Sequence, residues 1–158
     1  MKDPQRFIRK AIIDRLTNRV CIDGEVEECK AYYKVYNRVP SNAPDFYIKV
    51  YGVENTEVDQ NNTSFASQIN TRIETVTRFN ADDGGELDVN IAMDQVLELV
   101  RTRSIGPNKE KSYFDLSSEG FNVYTSTNQR IHYIIEDTSD HTYYKAILEL
   151  NNRVEQIN

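Results

Sequence analysis

The sequence predicts an α+β fold in which an antiparallel or mixed β-sheet has two helices packed on one face. Two patterns lead to this prediction: apolar residues recur at helical spacing in two segments, and they alternate with polar residues in several others. The predicted order is helix, strands, helix, strands, and such segregated helices usually cover one face of a sheet. Since the chain has 158 residues and no linker-like tract, we expect one domain over residues 1–158.

The composition agrees with a packed core and argues against two classes of protein. Hydrophobic residues make up 39% of the chain, and ten Tyr and six Phe supply large side chains for a core. The formal net charge of -6 opposes general binding to nucleic acid. The sequence lacks a long apolar run, and MKDPQRF lacks the apolar region of a signal peptide. We therefore expect a soluble protein, made in the cytoplasm, without a membrane partner.

Two segments have helical periodicity. The first is predicted over residues 4–19, where Asp3 and Pro4 suit the start of a helix and the apolar side consists of Phe7, Ile8, Ala11, Ile12 and Leu16. The second is predicted near 85–103, with an apolar side made of Leu87, Ile91, Val96, Leu99 and Val100, together with Ala92 and Met93. We expect both apolar sides to pack against the sheet.

The alternating segments predict strands with one covered face. They lie within KAYYKVYNRVP, over 45–53, over about 66–79, and in a closing hairpin around the turn at 138–140. The residues expected on the covered face are Phe46, Ile48, Val50, Ile69, Thr71, Ile73, Thr75, Thr77, Phe79, Tyr144, Ala146, Leu148 and Leu150. Residues 54–65 are polar and are expected to form a loop that projects from the core, and the region near 104–128 is expected to be an insertion.

Cys21 and Cys29 flank the segment CIDGEVEEC, in which Asp23 and Gly24 suit a turn. A disulfide across this turn is geometrically conceivable. The spacing matches neither a zinc site nor a C-x-x-C redox site, and a cytosolic chain usually keeps its thiols reduced. We therefore expect two reduced thiols that act as small hydrophobic residues.

No pattern in the sequence predicts catalysis, a metal site or a cofactor. His132 and His141 flank the final turn without further ligands at metal-binding spacing. The segment ADDGGE at 81–86 lacks calcium-loop spacing and instead suits the start of a helix. Four cations near the end of the second helix favour the negative end of its dipole, which explains them better than a phosphate site does; they are Arg101, Arg103, Lys109 and Lys111.

The order of the parts resembles a known family. It consists of the helix FIRKAIIDRL, the segment VYNRVP before PDFYIKVYG, a polar stretch before INTRIETVTRF, the helix ELDVNIAMDQVLELVRT, and the closing pair IHYIIED and YYKAILEL. This layout resembles the tail-terminator (tail-completion) family of tailed bacteriophages and the neck ring proteins built on the same fold. The resemblance covers nearly the whole chain and concerns its layout.

The resemblance implies a structural virion protein that forms a homo-oligomeric ring of six or twelve copies in the neck or tail and is not an enzyme. The implied partners are other copies, adjacent neck or tail rings and the portal or adaptor complex, while DNA passes through the lumen without specific binding. Segments that reach a neighbouring copy or ring would be polar in the free chain. The candidate contact residues are Glu54, Asn55, Glu57, Asp59, Gln60, Asn61, Asn62, Arg72, Glu74 and Arg78.

Two other functions are compatible with the sequence. An enzyme of unrecognised type would assemble a pocket from residues that are far apart in the chain, with carboxylates or His132 in an unusual ionisation state. A small acidic binding module, such as an inhibitor of a host enzyme, would remain monomeric. A deep polar pocket would favour the first function, and a monomer during assembly would favour the second.

Overall fold

The computed structural model describes residues 2–24, 26–60, 65–101, 103–106, 109–111 and 114–157. Its helices and strands, in chain order, are α1 Gln5–Leu16, β1 Lys34–Tyr36, β2 Phe46–Gln60, β3 Phe65–Asn80, α2 Leu87–Val100, β4 Arg103–Gly106, β5 Lys109–Lys111, β6 Phe121–Asp137 and β7 His141–Gln156. Two short 3-10 turns, Val26–Glu28 and Ser117–Glu119, precede β1 and β6.

The main sheet has five strands in the order β1-β2-β3-β7-β6. β1 pairs with β2 in parallel, whereas the β2, β3, β7 and β6 neighbours pair antiparallel. The short strands β4 and β5 pair with each other in a separate two-stranded sheet. The main sheet is therefore mixed, which confirms the predicted fold class.

Both helices pack on the same face of the main sheet. Ile8, Ile12 and Leu16 of α1 are fully buried, and α2 buries a second row of side chains in the same core. The sheet side of this core contains Ile48, Val50, Ile69, Ile73, Ala146, Leu148 and Leu150. All of these were predicted for the covered face, because strict alternation on a half-covered sheet leaves one choice of face. The buried threonines Thr71, Thr75 and Thr77 were predicted correctly as well.

The buried side of α2 agrees with the prediction at Ala92, Met93, Val96 and Val100 and differs from it at Leu87, Ile91 and Leu99. Its buried residues are Val89, Ala92, Met93, Val96 and Val100, whereas Leu87 is 69% exposed. Leu99 is only partly buried, and its carbonyl oxygen accepts a hydrogen bond from the Arg15 guanidinium of α1 at 3.0 Å. The helix begins at Leu87, so Leu87 lies at its exposed first turn while Val89 occupies the buried position.

Within the part that the structure describes, residues 54–60 form a strand and not the loop predicted over 54–65. Residues 54–60 continue β2, and they pair with β3 through Glu54↔Asn70, Thr56↔Gln68 and Gln60↔Phe65. Two register shifts, after Gly52 and after Glu57, interrupt the ladder and blur the alternation that would have marked a strand. Residues 61–64 lie outside the described part of the chain.

The predicted insertion at 104–128 is also shorter than expected. Residues from Phe121 onward belong to β6, which pairs with β7 along most of its length. Its first residue is part of the core, where the Phe121 ring lies 5.5 Å from the ring of Phe7 on α1. The β4–β5 pair precedes this strand.

Cys21 and Cys29 form a disulfide, so the prediction of reduced thiols is wrong. Their Cα atoms lie 5.7 Å apart, because the chain turns at Gly24, which has a φ of +78°. The side-chain amide of Gln95 on α2 holds this turn by accepting from the Cys21 N–H at 2.8 Å and donating to the Cys21 carbonyl at 3.0 Å. The prediction relied on cellular compartment, while the local backbone brings the two sulfur atoms together.

Candidate functional site

The face of the main sheet opposite the helices is polar, and we call it the open face. On this face the alternate residues of the same strands point away from the core. They include Tyr47, Lys49 and Tyr51 on β2, Arg72, Glu74 and Arg78 on β3, Arg130 and His132 on β6, and Lys145 and Glu149 on β7. The covered face and the open face are thus built from neighbouring residues.

Glu149 lies at the centre of a charged cluster on the open face. Glu149 is 4% exposed, although along β7 it alternates with the core residues Leu148 and Leu150. The Arg72 guanidinium donates to Glu149 Oε1 from Nη2 at 2.9 Å and from Nε at 3.1 Å. On the other side, Arg130 Nε lies 2.6 Å from Oε2 and His132 Nε2 lies 3.9 Å from Oε1. The long side chains of the two flanking strands therefore cover the carboxylate.

These neighbours keep Glu149 ionised. Burial opposes its ionisation, but the hydrogen bonds from Arg72 and the charges of Arg130, Arg72 and His132 together outweigh burial, so the pKa of Glu149 lies below its ordinary value of 4.5. Burial and the hydrogen bond with Glu74 raise the pKa of the Tyr51 hydroxyl, which donates to Glu74 at 2.8 Å. The cluster is a set of satisfied ion pairs, which is the arrangement of a structural network.

The sequence-predicted contact residues lie in two separate places. Glu54, Asn55, Glu57, Asp59 and Gln60 lie on the far half of β2, where no strand pairs with its outer side in the described part of the chain. Asn61 and Asn62 lie outside the described residues. The remaining three, Arg72, Glu74 and Arg78, lie on the open face of β3 and bind Glu149, Tyr51 and Asp45 respectively. The structure therefore does not bring the eight described candidates into one site.

The two histidines lie in different surroundings and do not form a metal centre in the described part of the chain. His132 lies on β6 beside Glu149, and His141 opens β7 with its ring 6.3 Å from the ring of Tyr143. Within the described ranges, no group of three or more His, Cys, Asp or Glu side chains is arranged to hold a metal ion. The acidic turn after β3 precedes α2, and the Asp83 side chain accepts from the Gly84 N–H at 2.8 Å.

Exposed apolar side chains on β6 are the feature that sequence reasoning missed. Every residue from His132 to Asp140 is exposed. Tyr133 and Ile135 are 57% and 53% exposed on the helix-covered side, and Ile134 is exposed on the open face. Between β6 and α2 lies an open groove of about 430 Å³, lined by the apolar residues Met93, Leu97, Ile131 and Tyr133 together with Glu86, Asn90 and Asp94. The consecutive apolar residues in HYIIED were a signal of this surface.

The shared fold was found by comparison with solved structures. A chain in the structure of the virion of a native gene transfer agent (GTA) particle superposes with a TM-score of 0.64 and 14% sequence identity, covering 94% of both chains. No family model matches the sequence. No curated protein matches it either.

Neither α1 nor α2, the helices in the described part, has the length and apolar character needed to span a bilayer.

Proposed function

We propose that this chain is a structural subunit of a tailed virion, and that its copies form a ring in the neck or tail as a tail terminator or head-to-tail connector. The observation that carries the proposal is the fold shared with a chain of a gene transfer agent virion along 94% of both chains. Because one fold can host many functions, the position in the neck or tail rests on the sequence resemblance to tail terminators.

The edges of the main sheet support assembly. β6 ends the sheet on one side, and β1 with the far half of β2 ends it on the other. Open strand edges readily pair with other chains unless they are covered. Contacts between two different edges are head-to-tail, and such contacts close a ring when each copy is rotated by a constant angle.

The proposed role requires no chemistry at the protein surface. Charged groups of the open face bind each other within the chain, as Arg72 and Arg130 both do with Glu149. The formal charge of -6 suits a lumen through which DNA passes without specific binding. The far half of β2, from Glu54 to Gln60, remains our candidate for contacts with another copy or an adjacent ring.

The partners in this proposal are other copies in a ring of six or twelve, adjacent neck or tail proteins, and the portal or adaptor complex. Such a subunit acts in the virion after synthesis in the host cytoplasm. It is not an enzyme, since holding a passage open between head and tail depends on shape and on contacts alone.

Omission of the chain from particle assembly tests the proposal. Without it, we expect filled heads and separate tails by negative-stain electron microscopy, and joined particles once the chain is supplied again. As a matched control, a chain with His132→Ala and His141→Ala should restore joining at close to the wild-type yield, because no catalytic step depends on either imidazole. Normal joined particles in the absence of the chain would overturn the proposal.

A further inference from the structure

The two ends of the main sheet carry opposite charges at the same level. The cross-strand row that begins at Lys34 on β1 passes through Tyr47, Val76 and Lys145 and ends at Ile134 on β6. β1 and the end of β6 therefore lie opposite one another across the sheet. β1 runs parallel to β2, and each further pair in the order β2-β3-β7-β6 is antiparallel. β1 and β6 therefore run in opposite directions.

The segment that contains β1 is basic. KAYYKVYNR, residues 30–38, includes three exposed cations and no carboxylate; they are Lys30, Lys34 and Arg38. Tyr32 is 39% exposed in the same segment. The exposed acidic residues Glu27 and Glu28 belong to the 3-10 turn that precedes this segment. We call residues 30–38 the basic edge.

The segment at the end of β6 is acidic and apolar. IIEDTSD, residues 134–140, has three exposed carboxylates and no cation; they are Glu136, which pairs with Lys145 of β7 at 3.1 Å, Asp137 and Asp140. Ile134 and Ile135 are exposed at its start, next to Tyr133. An exposed strand end with apolar side chains on both faces is typical of a surface that another chain covers. We call residues 133–140 the acidic edge.

We propose that the acidic edge of one copy docks on the basic edge of the next copy, and that this contact repeats around the ring. The inference rests on the proposed function, since it names the surfaces through which the ring would form. Copies placed head to tail bring β6 beside β1 of the neighbour in antiparallel orientation, which allows strand pairing. The contact would cover Tyr133, Ile134 and Ile135 and set cations against carboxylates.

Charge also selects between the possible arrangements of two copies. A two-fold contact of acidic edge with acidic edge would place Glu136, Asp137 and Asp140 against their own counterparts. A contact of basic edge with basic edge would place Lys30 and Lys34 against their own counterparts. Like charges across an interface oppose association. The head-to-tail arrangement is the one that pairs opposite charges, and it is also the one that can close a ring.

Zero-length cross-linking of assembled particles tests which surfaces meet. A carbodiimide joins a lysine amine to a carboxylate in direct contact, with loss of water. Within one chain the two edges are four strand spacings apart, about 19 Å along the sheet, so a link between them must join two copies. Glu136 can also be linked to Lys145 of its own chain, with which it forms an ion pair. Between copies, we expect Lys30 or Lys34 linked to Glu136, Asp137 or Asp140. If the chain forms a ring whose links lie elsewhere, this inference fails while the proposed function stands.

Charge reversal gives an independent test in the same particles. Lys30→Glu with Lys34→Glu, or Glu136→Lys with Asp140→Lys, should each lower the yield of joined particles by more than about tenfold, because like charges then meet. All four substitutions together should restore most of the yield. The control Lys2→Glu with Arg6→Glu makes the same charge change as Lys30→Glu with Lys34→Glu, but on and before α1, and should leave the yield unchanged. Equal losses in the control, or no rescue, would overturn the inference.

If particles contain no ring of this chain at all, the proposed function fails, and the inference fails with it. Circular dichroism of each purified variant, compared with wild type, separates loss of contact from loss of folding. If a charge-reversal variant is unfolded, the variant Tyr133→Ser with Ile135→Ser is tested in its place, because it removes the exposed apolar contact. That variant should also lose joining, and a normal yield from it would contradict the inference.

Discussion

The two faces of the main sheet are built by the same strands, yet one is buried beneath the helices and the other carries charged and polar side chains. On the covered face, Ile48, Ile73 and Leu148 are fully buried beneath the helices. One residue further along each strand, Lys49, Glu74 and Glu149 lie on the open face among ion pairs and tyrosines. The covered face therefore supplies stability, while the open face and the strand ends remain available for contacts with other chains.

The largest effect is expected on the covered face. Ile73→Ala should lower the free energy of unfolding in urea by about 2–5 kcal/mol, because a fully buried side chain leaves a cavity. Ile135→Ala is the matched control on the same side of the sheet, but beyond the helices, and should change it by less than about 0.5 kcal/mol. Equal losses of unfolding free energy in the two variants would contradict the conclusion that packing beneath the helices stabilises the fold.

A somewhat smaller effect should report the orientation of α2. Met93→Ala is expected to cost about 2–3 kcal/mol, at the low end for a buried methionine, because Met93 lines the open groove, where neighbours can relax. Leu87→Ala on the same helix should cost less than about 0.5 kcal/mol, since Leu87 is exposed. Urea unfolding of both variants measures the difference, and a reversed order would show that α2 is rotated.

On the open face, Glu149→Gln should destabilise the chain by about 1–2 kcal/mol at neutral pH. The substitution removes charge-assisted hydrogen bonds, but Arg72 and Arg130 are 38% and 65% exposed, so solvent screens the loss. Because the pKa of Glu149 is lower in the folded state than its ordinary value of 4.5, its contribution is complete above that pH and disappears as the pH falls below it.

The pH dependence provides the check on this substitution. The difference in unfolding free energy between wild type and Glu149→Gln should narrow as the pH falls below 4.5. Urea unfolding at a series of pH values measures it. A difference that stays constant through the acidic range would show that the charge of Glu149 does not stabilise the fold.

The smallest effect is expected at the margin of the open face. Arg78 lies 2.6 Å from Asp45, whose side chain is 60% exposed. Asp45→Asn should therefore change the free energy of unfolding by less than about 1 kcal/mol, and the change should shrink in high salt. Thermal unfolding at low and high salt measures both quantities. A large loss of unfolding free energy that salt does not reduce would show that this exposed ion pair is a major contribution to stability.

The covered face could be predicted from the sequence because burial imposes a strict period. Ile69, Ile73, Leu148 and Leu150 repeat every two residues or multiples of two, and a slip by one residue would expose all of them. The far half of β2 could not be predicted in this way. Glu54 to Gln60 are polar, and two register shifts break the period, so pairing with β3 leaves little trace in the sequence.

The open-face cluster was beyond sequence reasoning for a different reason. Glu149 stands in an alternating row that correctly predicts the direction of its side chain, but its burial comes from Arg72 and Arg130 on the two flanking strands. Those three residues are adjacent only after the strands pair in the order β3-β7-β6. Among the predicted contact residues, Arg72 was therefore assigned to another copy, although its carboxylate partner lies in its own chain.

We propose that copies of this chain form a closed ring in the neck or tail of a tailed virion. Cryo-electron microscopy of joined particles, with the chain traced in the density, tests this claim most directly. We predict a ring of six or twelve copies around a passage that contains DNA, with the helices and the five-stranded sheet as described. Density in which the chain is absent from the neck and tail, or is present there as isolated single copies, would contradict the account.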